Sequence, residues 1–538
     1  MLNNYTPKFI TVNVLSVAIH SNSLMDLIML RKTTRLYSLI PAALIAAGLL
    51  SAEVANAAPT FKYRHVIMGL VPAPTSAQAQ QAAEIVMALT GGPALPAGEV
   101  NWPYSYDLNQ LLTVTGDTTY DKSKVTWELQ AGQLPAGLSL GADGVISGIP
   151  TTKDLVGNSF QILATYKTKT GQQAYTIVVN GAVLHVTQIS TGGTHSCAIT
   201  TSGGLKCWGD NQFGQLGDGT KTSRSKPVDV TYLTSLVDSV SAGPSHTCAV
   251  TKAGGAYCWG NNGSYQLGDG TNTARLTASG VPGLGTGVAS ISAGSSNTCV
   301  VTTGGGAKCW GYNAFGQVGD GSKTTRPSPV NVSGLTTGVR SIVASPYYYH
   351  VCAVTTDGAA KCWGYNVYGQ LGTGGTTDAT TPANVVGLSS GVASLALGYG
   401  HGCALLSNET VQCWGYNTYG QVGNGNTTIQ YSPVSVSGLS GVTSLTAGQH
   451  HACAAVSGGG AKCWGYNAFG QLGDNSTANR SVPVQVSGLT SGVMALTGGT
   501  GHTCAITGAG PMCWGNNTTG QLGNNSTTAS KVPVNVVP

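Results

Sequence analysis

Fourteen cysteines stand in seven pairs, and the pairs return at a nearly constant period. Cys197 pairs with Cys207, Cys248 with Cys258, Cys299 with Cys309, Cys352 with Cys362, Cys403 with Cys413, Cys453 with Cys463 and Cys504 with Cys513, and first cysteines are 50 to 53 residues apart. A period of this size belongs to solenoids, arrays and propellers. Each unit reads P-V-x-V, then a short apolar run ending in Ala-Gly, then H-x-C-A, a turn, x-C-W-G and finally N-x-x-G-Q-[LV]-G. Polar and apolar residues alternate with period two, and Gly, Pro and Asn punctuate the runs, which predicts four short strands per unit and no helix. Seven such units predict an all-β chain with a seven-bladed β-propeller over 183–538, an arrangement without long exposed edges.

The spacing within a pair carries its own geometry. Between Cys197 and Cys207, a three-residue loop of Thr201, Ser202 and Gly203 puts glycine at the left-handed position of a bulged hairpin and sets the two cysteines opposite each other. In the last unit the spacing is nine, and a two-residue Gly508-Ala509 turn restores the same opposition. Opposed residues on one face have Cβ atoms about 4.5–5.5 Å apart, close to disulfide geometry. Seven pairs of buried free thiols are the alternative; even pairing in an exported chain favours seven intra-unit disulfides. Trp208 follows Cys207, so it points to the other face of its strand. The tryptophan is then expected to pack into one neighbouring unit and the disulfide to abut the other.

Of 538 residues only 8% are charged, 77 are glycine, and the net charge of +5 is spread thinly. No Lys/Arg cluster interleaves with aromatics, which argues against a nucleic-acid partner. From Met29 the chain reads as an export signal: Arg31, Lys32 and Arg35 form a basic stretch, 36–52 is apolar, and Ala55-Asn56-Ala57 is an A-x-A cleavage site. Residues 1–28 fit no signal pattern, so Met29 stands as an alternative start. No later segment is apolar enough to span a bilayer as a helix. The mature chain is expected to be secreted or held at the cell surface, with the periplasm as the other compartment such a signal reaches.

Segments 208–220 (WGDNQFGQLGDGT), 310–322 (WGYNAFGQVGDGS), 363–375 (WGYNVYGQLGTGG) and 464–476 (WGYNAFGQLGDNS) resemble repeats of the regulator of chromosome condensation (RCC1) family. The resemblance covers about 186–538 and implies a seven-bladed propeller. The cysteine pairs and the export signal depart from the intracellular pattern, so nucleotide exchange on a small GTPase does not carry over. Secreted bacterial RCC1-like propellers that bind through one face of the disc are the nearer analogue. Upstream, 134–152 (LPAGLSLGADGVISGIPTT) resembles Ig-like modules of bacterial surface proteins, which usually act as spacers. With Trp127 and the alternating runs 160–166 and 174–179, it predicts a β-sandwich over 96–182. Residues 58–95 are expected to be a linker or a short helical segment, capped by Ser76 and stopped at Gly91-Gly92-Pro93.

Six units place a histidine two residues before the first cysteine (His195, His246, His350, His401, His451, His502), and Asn297 fills that slot in the other. A metal site or Cys-His nucleophile needs one special constellation, whereas these repeat, so a scaffolding hydrogen bond to backbone within each blade is the expectation. The Asp-Gly runs at Asp218, Asp269 and Asp320 lack calcium-loop spacing and read as turns. No metal or other cofactor is expected. Isolated acids such as Asp229, Asp238 and Glu409 leave open a propeller enzyme acting on extracellular polysaccharide. The informative departures from uniformity are tyrosines. Tyr312, Tyr365, Tyr416 and Tyr466 share the slot after Trp-Gly, and unit four carries a two-residue insertion bearing Tyr347, Tyr348 and Tyr349. All seven fall on one end of the disc and are the candidate binding residues, for an extracellular protein or glycan bound by a monomer. Finally, the first unit lacks a P-V-x-V strand before it, and the chain ends in one. Residues 532–537 are therefore expected to close the ring beside residues 184–190.

Overall fold

The computed structural model describes residues 84–538; the export signal, Ser76 and the rest of the first 83 residues lie outside them. The N-terminal module holds nine strands: β1 (Val86–Leu89), β2 (Gly98–Glu99), β3 (Tyr104–Asp107), β4 (Leu112–Thr115), β5 (Thr126–Gly132), β6 (Leu138–Leu140), β7 (Val145–Gly148), β8 (Asp154–Tyr166) and β9 (Lys169–Asn180). They form sheets ordered β2-β9-β8-β5, β3-β7-β6 and β1-β4. Leu108, Ile146, Phe160, Ile162, Tyr175 and Ile177 fill the core between them. The helical reading of the segment before Gly91 is corrected at its described end. Val86–Leu89 is a strand paired antiparallel with β4, because Met87 and Leu89 alternate into the core with period two and edge pairing outweighs local helix preference.

The repeat region folds as seven four-stranded antiparallel meanders. The first is β10 (Val186–Thr191), β11 (His195–Thr200), β12 (Leu205–Gly209) and β13 (Arg224–Asp229), in that order. The other six span 237–280, 288–331, 339–384, 392–435, 442–485 and 493–535 with the same order. The P-V-x-V run is thus the last strand of each unit, paired with the C-W-G strand, as Cys207 with Val228. This corrects the expected closure. Ser530–Asn535 pairs with Gly510–Gly515 inside the seventh sheet and leaves β10 to its own unit. The outer strand suits an edge, since Pro227, Pro433, Pro483 and Pro533 present no N–H to an incoming chain.

The cysteines are bonded in the pairs that the spacing predicts, each within its own sheet. Cys197 is joined to Cys207, Cys248 to Cys258, Cys299 to Cys309 and Cys352 to Cys362. Cys403 is joined to Cys413, Cys453 to Cys463 and Cys504 to Cys513. The two partners stand directly opposite on adjacent strands in every unit, including the last with its shorter turn. Their Cα atoms are 4.0–4.1 Å apart, and no cysteine is free. The alternative of buried free thiols therefore falls away.

Neighbouring sheets meet as the alternation requires. Cys197 and Cys207 pack on Trp259 of the second sheet, while Trp208 packs on Cys504 and Cys513 of the seventh. In the same way Cys258 faces Trp310, Cys309 faces Trp363, Cys362 faces Trp414, Cys413 faces Trp464 and Cys463 faces Trp514. Each tryptophan is fully buried. Removing about 150–250 Å² from water at ~25 cal/mol per Å² gives an upper bound of roughly 4–6 kcal/mol for each.

The closing glycine of G-Q-[LV]-G makes this contact fit. Gly473 has φ +70°, and a Cβ there would stand 2.7 Å from Trp514 Nε1. The seventh sheet meets the first through the same contacts: Trp208 Nε1 donates to Gln521 O at 2.9 Å, as Trp259 Nε1 donates to Gln215 O at 2.9 Å.

Candidate functional site

Within each meander, the loop between the first two strands and the long connection between the last two lie at one end. In the first unit these are residues 192–194 and 210–223. Three repeated side chains build that end. The asparagine of N-x-x-G-Q is buried and pins the long connection: Asn211 Nδ2 donates to Thr220 O (3.1 Å), Thr222 O (3.1 Å) and Asp218 Oδ1 (3.0 Å), and Asn211 Oδ1 accepts from Leu216 N (2.9 Å). The Asp-Gly runs are turn chemistry. Asp218 accepts from Thr220 N and Thr220 Oγ1 and pairs with Arg224 at 2.9 Å. Burial pushes its pKa up, but Thr220, Arg224 and Asn211 together hold it below the usual carboxylate value. The same ion pair joins Asp269 to Arg275, Asp320 to Arg326 and Asp474 to Arg480.

The third is histidine, whose partner differs from the one expected. His195 Nε2 stands 2.8 Å from Thr247 Oγ1 of the next sheet, and that hydroxyl donates to Gln215 O at 2.8 Å. The threonine hydrogen is thus committed, so the histidine donates through Nε2–H. The bond therefore crosses between sheets, where a bond to backbone within one blade was the expectation. His246 with Thr298, His451 with Thr503 and His502 with Ser196 repeat it, the last joining the seventh sheet to the first. The Ala-Gly before the loop makes room for the ring, since a Cβ at Gly448 would collide with His451 Cε1. His350 and His401 face Gly402 and Ala452, which carry no hydroxyl, and neither of their nitrogens has a protein partner. Burial pushes His195 down to about 4 and the other five to about 3, so all six are neutral at pH 7.

Above this layer the tyrosines gather. Tyr349 lies 5.3 Å from Tyr312, and Tyr348 lies 5.2 Å from Tyr365, so the insertion and the Trp-Gly slot share one surface. Tyr416 and Tyr466 extend it through Tyr419, at 6.2 Å and 4.8 Å. Six further rings complete it: Phe315, Tyr368, Tyr399, Tyr419, His450 and Phe469. Phe315, Tyr368, Tyr419 and Phe469 occupy one repeated slot, three residues after the Tyr slot, where the first two units and the last carry Phe213, Ser264 and Thr519. That coincidence of two aromatic slots in units three to six was the available signal. The result is an aromatic arc over the third to sixth sheets, facing Asp210, Asn261 and Asn516 across the same end.

Tyr347 has a different place from its two neighbours. It is 8% exposed, and its phenol reaches across to donate to Gly498 O of the seventh sheet at 2.7 Å, with Gly192 O of the first at 3.4 Å. Burial pushes its pKa well above the usual phenol value, so it remains a donor. Ser345 Oγ donates to Gly398 O and accepts from Tyr347 N and Tyr348 N, which sets the insertion upright. The acids weighed as catalytic stay apart from the arc. Asp229 pairs with Lys206 at 2.7 Å, Asp238 is the second residue of the strand Val237–Ala242 and Glu409 sits in a hairpin turn, all at the opposite end. Among the described residues no group of three or more His, Cys, Asp or Glu is placed to hold a metal ion, and no helix is long and apolar enough to cross a membrane.

Comparison with known proteins agrees with this architecture. Two models of the regulator of chromosome condensation (RCC1) repeat match the chain. One matches 186–215, 237–266, 288–317, 339–370, 392–421 and 442–471; the other 202–250, 253–301, 357–405, 410–455 and 463–506. The family described as "Putative Ig domain" matches 75–180. The ultraviolet-B receptor UVR8 of Arabidopsis thaliana is 32% identical over 255 residues, 47% of this chain and 58% of the receptor. The E3 ubiquitin-protein ligase HERC2 of Homo sapiens is 32% identical over 257 residues, 47% of this chain and 5% of the ligase. The chain thus spans only part of these relatives. Among solved structures, Prp20p from Saccharomyces cerevisiae aligns with TM-score 0.52 and 21% identity over 59% of this chain and 80% of its own. Human WBSCR16 aligns with TM-score 0.54 and 21% identity over 64% and 91%. With its repeated Trp-Gly and G-Q-[LV]-G contacts, the chain belongs to the RCC1 repeat family and carries an Ig-type module ahead of the repeats.

Proposed function

We propose that this protein is an exported binding module. The seven sheets are read as the blades of a closed seven-bladed propeller, the N-terminal module as an Ig-like sandwich that acts as a spacer, and the aromatic arc as the face that takes an extracellular protein or glycan. The observation that carries this reading is the arc itself. Aromatic side chains from four successive units, together with an insertion found in one unit alone, meet on one end, where a scaffold needs nothing beyond the buried Asn, Trp and His. Relatives support binding as the mode: the Prp20p structure is reported with its binding properties to Gsp1p and histones. A polysaccharide-cleaving enzyme is the weaker reading, because glycoside hydrolysis needs two carboxylates about 5–9.5 Å apart, and Asp229, Asp238 and Glu409 lie at the other end.

The test uses the protein purified from the exported fraction and immobilised, with secreted proteins and surface glycans passed over it. The triple variant Tyr348→Ser, Tyr365→Ser, Tyr416→Ser is expected to lose at least about tenfold in retention of whatever partner the parent holds, with an unchanged melting temperature. Equal retention by parent and variant would contradict the assignment of the face.

A further inference from the structure

The arc's chemistry narrows its ligand, an inference that rests on the binding-face reading above. From Tyr312 to Phe469 a path runs through Tyr349, Tyr348, Tyr399, His450 and Tyr466 with each ring 4.3–6.3 Å from the next, so no gap interrupts it. None of these residues is a carboxylate, lysine or arginine, and burial pushes His450 down to about 4, which leaves the path uncharged at neutral pH. An anionic ligand would give up its hydration here for no opposite charge, and a cation would need an open ring face to sit over. The rings are also packed against one another at angles from 24° to 80°, so that much of each face is covered by its neighbours and edges and grooves are presented.

We propose that the arc binds proline-rich segments of a partner protein in the polyproline II conformation. Three physical points select this occupant. A polyproline II chain makes no internal hydrogen bonds, so its carbonyls are free to accept, and the tyrosines of the arc, apart from Tyr348 and Tyr399, which bond each other, carry phenols that donate. Proline has no N–H, so laying it on an aromatic surface strands no donor. The conformation is pre-ordered, which lowers the entropy lost on docking, and proline rings fit the grooves between tilted aromatics. A neutral sugar fits less well. Each sugar ring brings several hydroxyls that need paired donors and acceptors on leaving water, and it stacks best on an open aromatic face. At ~3.1 Å per residue, a segment of about ten residues covers the path, and about eight cover most of it.

The test titrates the full exported chain by calorimetry with an acetylated, amidated proline octamer, and separately with cellohexaose and xylohexaose. The octamer is expected to bind with a Kd at or below about 1 mM. Affinity is expected to stay within about twofold between about 50 and 500 mM salt and to fall at least about tenfold in the double variant Tyr348→Ser, Tyr365→Ser. No octamer binding at millimolar concentration, or binding unchanged in the variant, overturns the proposal. Hexaose binding that the variant loses, with no octamer binding, overturns the peptide ligand and keeps the face. If a partner captured by the parent is held equally by the variant, the face itself is lost as well.

Discussion

Reduction of the seven disulfides is expected to abolish folding of the repeat region. Each bridge closes a loop of nine or ten residues, for which the chain-entropy model gives about 2–3 kcal/mol. Seven bridges at that size amount to roughly 15–20 kcal/mol, against the ~5–15 kcal/mol by which an ordinary domain is stable. Every cysteine is fully buried, so a reductant acts only after the chain opens. The measurement is refolding from guanidinium, with and without dithiothreitol, followed by circular dichroism. The oxidised chain should recover its β signal and its cooperative melt, and the reduced chain should recover neither. Non-reducing peptide mapping should find each cysteine linked only within its unit. A reduced chain that melts within about 5 °C of the oxidised one would refute the stapling role.

Acid is expected to unfold the protein well above the carboxylate range. The six buried histidines have pKa values lowered by burial to about 3 or 4 in the folded chain, against about 6.5 when unfolded. Above pH 6.5 both states are neutral and the groups contribute no pH dependence. Below it the unfolded chain takes up protons that the folded chain refuses, so stability falls with falling pH until the folded values are reached. Each histidine contributes about 1.4 kcal/mol per pH unit in that window, and six together contribute about 8 kcal/mol per unit. Asp218, Asp269, Asp320 and Asp474, whose pKa values are lowered in the fold, add to the loss at still lower pH. Guanidinium midpoints are expected to be level from pH 7 to 9 and to fall steeply below pH 6. A level midpoint from pH 7 down to 4 would mean that the histidines are solvated or charged in the native state.

The parts of this fold legible in the sequence are those fixed by strand alternation. Cys197 opposite Cys207, and Trp208 on the reverse face, follow from a period of two and a loop of known length; in the last unit the shorter turn keeps the register. Ownership of the P-V-x-V strand was not legible. A repeat has no intrinsic starting phase, and the long connection of residues 210–223 lets that strand pair with either unit. The histidine partner was hidden for a related reason. Thr247 lies beside His195 only because consecutive sheets stack, a relation between units that no spacing within a unit contains. Half of the arc was visible: Tyr312, Tyr365, Tyr416 and Tyr466 in one slot, with Tyr348 and Tyr349 in the insertion. Phe315, Tyr368, Tyr419 and Phe469 were masked by their place in a turn consensus, and Tyr399 and His450 by standing alone in their loops. Tyr347 sat among visible tyrosines, yet its place beneath them, tied to Gly498 and Gly192, depends on the backbone that Ser345 holds.

The most direct measurement of the binding face is hydrogen exchange of the protein with and without a bound partner. The expected result is slowed exchange at 312–316, 345–349, 365–369, 398–400, 416–420, 448–450 and 466–470, the segments that carry the arc. Slowed exchange confined to the opposite end, at the hairpin turn 201–204 and the 230–236 connection where Tyr232 is 81% exposed, would contradict it.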